Sequence, residues 1–157
     1  MRLPVEVFHC EQCGKEFDAP RLSDFNYGEF LLWSDGGNLA YVNAIESGVF
    51  AEVCVLFERT AASFEFDTLR LSQAIQHFFG TVASDPDSDG SLFRMGGFPP
   101  CPHCGSSQPS SWDEAQPGRL IDIEPHESTH RHWASLAPEE KESLAELFLT
   151  SLGKPTA

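Results

Sequence analysis

Basic residues are scarce in this chain. Ten lysines and arginines stand against 24 aspartates and glutamates, a formal charge of −14 over 157 residues. The excess is spread along the sequence rather than gathered in one tail, so the whole surface should repel phosphate backbones, which argues against nucleic-acid binding. Long apolar runs are missing too. None approaches the ~20 residues that a membrane-crossing helix requires, and no basic stretch leads into an apolar leader segment. The expectation is a soluble, cytoplasmic protein without a membrane partner. Several chemical signatures are also absent. There is no Gly-x-Ser-x-Gly elbow and no His-Glu-x-x-His helix motif, and the turn Ser34-Asp35-Gly36-Gly37 lacks the lysine and helix of a phosphate loop. The acidic stretch Asp85-Pro86-Asp87-Ser88-Asp89-Gly90 looks like a calcium loop. An EF-hand counted from Asp85 would need its bidentate glutamate where Gly96 stands, so the stretch reads as a flexible loop.

Cysteine is also rare, with five in all, but four of them are organised. Cys10-Glu-Gln-Cys13 and Cys101-Pro-His-Cys104 are two Cys-x-x-Cys pairs, each followed at once by glycine, Gly14 and Gly105. A knuckle that wraps its backbone amides around thiolate sulfurs must turn tightly, and glycine tolerates the positive φ this needs. Two knuckles supply four soft ligands, which suits tetrahedral zinc. A closed four-thiolate site has no open coordination position, so its expected role is structural. A disulfide framework would require an oxidising compartment and would leave Cys54 over. A redox Cys-x-x-Cys is expected once, at a helix start, rather than twice. Cys54 lies in the apolar run Val49–Phe57, where a free cysteine acts as a small buried hydrophobe.

The segments Phe8-His9-Cys10-Glu11-Gln12-Cys13-Gly14-Lys15-Glu16-Phe17 and Cys101-Pro102-His103-Cys104-Gly105 resemble the zinc-ribbon class. The resemblance implies a small hairpin lobe around one structural Zn2+ held by Cys10, Cys13, Cys101 and Cys104. It departs from the usual pattern in one respect: ribbon pairs commonly lie about 15–20 residues apart, whereas residues 14–100 separate these. The expected organisation is therefore a ribbon lobe from residues 1–20 and 95–135, an inserted α+β subdomain at 21–94, and a C-terminal helix and tail at 136–157. His9 and His103 adjoin ligand cysteines and read as bystanders.

Periodicity fills in the elements. Residues 3–8 alternate as a strand, and Lys15-Glu16-Phe17 returns as its partner. Tyr27–Trp33 and Asn38–Asn43 read as a hairpin around the Ser34–Gly37 turn. Ser47-Gly48 opens a helix to Arg59, with Val49, Val53, Leu56 and Phe57 on one stripe. Asp67 is a natural N-cap for a helix over 68–79, with Gly80 as its C′ residue. After a polar linker at 106–111, Arg119–Glu124 forms a strand, and Thr129–Trp133 is expected to pair back against it. Pro138-Glu139-Glu140 opens the last helix, with Leu144, Leu147 and Phe148 apolar and Gly153 as the stop. The fold class is α+β: a zinc-ribbon lobe, an inserted antiparallel sheet on one or two helices, and a C-terminal helix. Aromatics near turns (Tyr27, Trp33, Trp112, Trp133) are candidate interface anchors, with core packing the plainer reading of each.

Three functional expectations follow. The first is a non-catalytic acidic module that binds a basic protein, most concretely an immunity- or antitoxin-type inhibitor whose acids stand in for phosphates before a nuclease-like partner. The second is a metal-dependent hydrolase built on His126, His130 and His132. On a strand, His130 and His132 would share one face, with Glu124 or Glu127 completing an open site. The third is a ribbon adaptor of transcription or translation machinery.

Overall fold

A computed structural model describes residues 1–22 and 27–153. It shows an α+β fold with two sheets. The first is organised on a long strand, β1 (Arg2–Cys10). On one side β1 pairs antiparallel with β2 (Glu16–Pro20), matching Phe8 to Phe17 and His9 to Glu16. The second sheet is laid down by the hairpin of β3 (Glu29–Ser34) and β4 (Leu39–Asn43), with Leu31 opposite Tyr41 and Trp33 opposite Leu39.

Helices then cover one face of the second sheet. Ser47 caps α1 (Gly48–Thr60) by accepting the Phe50 amide on its Oγ at 3.1 Å. After a 3-10 turn at Ala61–Ser63, Asp67 does the same for Arg70 at the start of α2 (Thr68–Phe78). Each cap satisfies an amide that the helix start would otherwise leave without a partner. The expected stop at Gly80 is not there. The chain continues through a π-helical turn, Phe79–Ala83, and Gly80 lies inside it without a positive φ. What glycine supplies at position 80 is room. A Cβ there would sit 2.8 Å from both the Met95 nitrogen and the Phe93 oxygen of β5 (Phe93–Met95), the strand that extends the sheet beside β3.

Past the second knuckle the chain serves both sheets. Half of the expected polar linker is strand: β6 (Pro109–Glu114) pairs with β1 opposite β2, and β7 (Leu120–Asp122) continues along Arg2–Pro4. The chain then crosses over. β8 (His126–Glu127) pairs parallel with β4, and α3 (Arg131–Ser135) follows it, so residues 129–133 do not form the strand read from the sequence. The second sheet is therefore mixed, in the order β5-β3-β4-β8. The reason is a long-range cap. Asp85 accepts the amides of Arg131 and His132 and the hydroxyl of Thr129, all at 2.8–3.0 Å, and this fixes a helical start at 131. Burial alone would raise the pKa of Asp85, but these donors hold it below the usual carboxylate range. Asp87 in turn accepts from Ser34 Oγ and Asn38 Nδ2. The acidic stretch is thus a tether between elements rather than a flexible loop.

The last helix, α4 (Pro138–Leu152), starts as expected, with Pro138 in the first turn and the Glu140 carboxylate accepting the Ala137 amide. Its inward face is Ala145 and Leu149, with Leu144 and Phe148 alongside; Leu147 points outward. The main core joins Leu32, Ala40 and Val42 of the sheet to Val53, Phe57, Phe78, Phe79 and Trp133. Trp133 is 1% exposed and meets Phe78 edge-on, with ring centroids 5.6 Å apart. A smaller core sits in the first sheet: Phe8 stacks on Phe17 at 5.3 Å, beside Ala19, Cys10 and Cys101.

Candidate metal centre

Each Cys-x-x-Cys turn is built by the same two backbone hydrogen bonds. At the first, Gly14 N donates to Cys10 O at 2.9 Å and Cys10 N donates to Lys15 O at 3.0 Å. At the second, Gly105 N donates to Cys101 O at 2.7 Å and Cys101 N donates to Ser106 O at 2.8 Å. Gly14 and Gly105 take φ of 72° and 79°, the left-handed conformation that a Cβ would strain. The local sequence Cys-x-x-Cys-Gly thus encodes the same turn twice, although the copies lie far apart in the chain.

The first sheet brings the copies together. β1 delivers Cys10 at its last residue, and β6 departs from the second knuckle to lie against the same strand, with Cys10 opposite Pro109. Cys10 Sγ lies 3.5 Å from Cys104 Sγ, and Cys13 Sγ lies 3.7 Å from Cys101 Sγ. All four sulfurs fall within 4.8 Å of one another. Four sulfurs at the Zn–S length of ~2.3 Å on a tetrahedron would be about 3.8 Å apart, so the quartet is already near metal-bound dimensions. Cys10 and Cys101 are buried, while Cys13 and Cys104 face outward.

The electrostatics prepare this site for a cation. The Cys13 amide, with further help from the Cys104 thiol and the Gln12 amide, lowers the Cys10 pKa to about 7 against the cost of burial. At Cys104 the Ser106 amide also favours the thiolate. Burial and the three neighbouring sulfurs outweigh it and push this thiol up to about 12. Four thiols packed this closely cannot all ionise on their own account. A divalent cation would relieve that repulsion, which is the chemistry such a donor set fits.

The other sequence candidates disperse. His9 pairs with Glu16 at 3.2 Å, and His103 lies 3.3 Å from the Glu16 carbonyl, so both stand beside the sulfurs and not among them. Of the three clustered histidines, His126 is on β8, His130 precedes α3 and His132 is on α3. His130 Nδ1 donates to the Ala83 carbonyl at 2.7 Å while its ring packs at a tilt against Phe79. Among the described residues the four cysteines form the only group of three or more His, Cys, Asp or Glu side chains with converging ligand atoms. Cys54 packs at the edge of the main core, and burial raises its thiol pKa.

Of the four aromatic candidates, Trp133 is core, Trp33 packs against the smaller core, Trp112 is half-exposed and meets Phe98 at a tilt with ring centroids 4.5 Å apart, and Tyr27 is exposed. Sequence reasoning missed a cleft of about 520 Å³ beside the second knuckle, between Trp33, Pro99, Pro100, Phe17 and the carboxylates Asp18 and Asp35. Only the folded chain brings its walls together, so no local pattern announced it. No protein-family model matches this chain, and no curated protein or solved structure matches it.

Proposed function

We propose that the chain is a non-catalytic, zinc-stapled acidic module that binds a basic protein. In its most concrete form it is an immunity- or antitoxin-type inhibitor that covers the cationic site of a nuclease-like partner. The observation that carries this reading is the net charge of −14. The distribution of the few cations supports it. Arg2, Arg21, Arg59, Arg94, Arg119 and Lys141 each lie within 3.8 Å of a carboxylate of the same chain. Their charges are neutralised in place, so the remaining carboxylates set the field that an approaching protein meets. Such a field raises the capture rate of a basic partner and suppresses encounters with acidic ones.

Zinc is the metal that the donor set favours. Four thiolates are soft ligands, their spacing suits a tetrahedron, and a closed site serves folding. Loading it makes the molecule about two charges more negative, which strengthens the same field. Nothing in the placement of His126, His130 and His132 favours the hydrolase reading over this one.

The test is an affinity capture of the tagged protein from its own cells at low salt, followed by titration of the captured partner in purified form. A single stoichiometric basic protein, bound with an affinity that falls steeply as salt rises, is the expected result. No such partner, or an affinity indifferent to salt, would overturn the proposal.

A further inference from the structure

The second sheet has one face packed on helices and one that is not. Along β3 and β4, Leu32, Ser34, Ala40 and Val42 point to the core. Strand alternation sends Leu31, Leu39 and Tyr41 to the opposite face, where they are only half-buried and belong to neither core. The parallel pairing of β8 sets Glu127 directly beside Tyr41 on this face. At this end of the sheet is a cavity of about 250 Å³ whose lining includes Tyr41, Asn43, Glu46, Ser47, Glu127 and His130.

The hydrogen-bond roles of these groups can be assigned one by one. Tyr41 donates its hydroxyl proton to the Glu29 carboxylate, so the oxygen has only lone pairs left to offer. His130 must carry its proton on Nδ1, because the Ala83 carbonyl it faces can only accept; neutral, the ring has an acceptor at Nε2. Asn43 Oδ1 accepts the amides of Ile45 and Glu46, which fixes the turn that carries Glu46. Glu46 and Glu127 are exposed, and among the described residues no lysine or arginine forms an ion pair with either. Burial, the Glu29 bond and the charges of Glu29, Glu46 and Glu127 together raise the Tyr41 pKa to about 12, so this hydroxyl stays protonated. The start of α1 opens at the same place. Its dipole supplies roughly half a positive charge, against two full carboxylates, so the cavity remains anionic.

A half-apolar sheet face whose rim offers acceptors and negative charge is complementary to a multi-donor cation. We infer that this face receives the partner, with a lysine or arginine side chain seated over the Tyr41 ring and held by Glu46 and Glu127. An arginine would fit best, since its planar guanidinium presents several donors to convergent carboxylates and stacks on an aromatic face. This assignment rests on the acidic-module reading above.

The probe is a tetra-arginine amide peptide, titrated into the intact, metal-loaded protein while backbone amide NMR signals are followed, with tetra-glutamate as the control. The expected shifts concentrate on Leu39–Asn43, Glu46 and Glu127 and fade at high salt. The paired change Glu46→Gln/Glu127→Gln should weaken peptide binding by about fivefold, as expected for two rim charges. Glu139→Gln/Glu146→Gln on α4 makes the same change in net charge and should leave affinity unchanged. The amide spectrum itself confirms that each variant is folded. Equal losses from both variants, shifts spread over the acidic surface or centred on another face, or no shifts at all would overturn the assignment. The two proposals fail separately: a cellular partner that binds the Glu46/Glu127 variant as well as the parent sinks this site and leaves the acidic-module reading standing.

Discussion

Single residues decide more of this structure than their size suggests, and Gly80 is the clearest case. Its role is neither a turn nor a positive φ but close approach, with strand backbone 2.8 Å from where a methyl group would go. Gly80→Ala should therefore destabilise the protein by ~1–3 kcal/mol, the usual cost of overpacking against atoms that cannot rotate away. Urea unfolding would measure it, and an unchanged midpoint would mean that the π turn shifts freely. The cysteines make the complementary case. Cys101→Ser should abolish stoichiometric zinc, because a closed site loses one of its four thiolates and puts a harder oxygen in its place. His130→Ala should keep the metal in full, since its Nδ1 is engaged by Ala83 and not directed at the sulfurs. Metal analysis of the two purified variants separates these outcomes. Both knuckles were legible from sequence because Cys-x-x-Cys-Gly writes its own hydrogen bonds within six residues. Gly80 was not, because its reason is a strand more than ten residues away.

At the scale of elements, sequence was a good guide wherever a helix carried its own start signal. Ser47, Asp67 and Pro138 each mark a helix start, and the structure places helices there. The β3–β4 hairpin follows from an apolar run, a two-glycine turn and a second short strand pattern. The reading failed between 126 and 135, where two residues of strand and a five-residue helix are too short to carry a period. Their identity is set from outside, by β4 and by the Asp85 carboxylate. Trp133 shows what this segment contributes. It is buried against Phe78, its indole N–H donates to Glu52 at 3.3 Å, and Lys141 lies over its ring. Trp133→Ala should cost ~3–5 kcal/mol. It should also speed amide exchange in α3 and α4 well before the first sheet is affected. Exchange accelerated equally in β1 and β6 would show instead that the two sheets unfold as one unit.

Across the whole molecule, like charges repel one another more than opposite charges attract. A charge of −14 works against the compact state, and exposed ion pairs such as Arg2–Asp122, Arg59–Glu142 and Arg119–Asp18 are worth little each. Moderate salt screens the repulsion between like charges more than it weakens those few pairs. Raising NaCl should therefore stabilise the free protein by about 1 kcal/mol, or roughly 3 °C in Tm. A Tm that falls with salt would mean the ion pairs outweigh the repulsion. The same salt should weaken the proposed complex, so the stability of the free protein and its partner affinity are expected to move in opposite directions. Metal binding offsets this cost by its own free energy even though it adds negative charge: structural zinc in small domains contributes ~10–16 kcal/mol, comparable with the entire stability of a domain.

The distance between the knuckles has a consequence in time. A ribosome adding about 5–20 residues per second needs roughly 5 to 20 s to travel from the first cysteine pair to the second. Throughout that interval Cys10 and Cys13 are half a site, while α1, α2 and the β3–β4 hairpin have all been made. The hairpin must then wait further for β8 and Trp133, which arrive after the second knuckle. The four cysteines can come together only after the residues of both helices have been made, and the last pieces of the main core follow them in the chain. The order of synthesis therefore places completion of the four-cysteine group after the helical segments are made and before the last residues of the main core arrive.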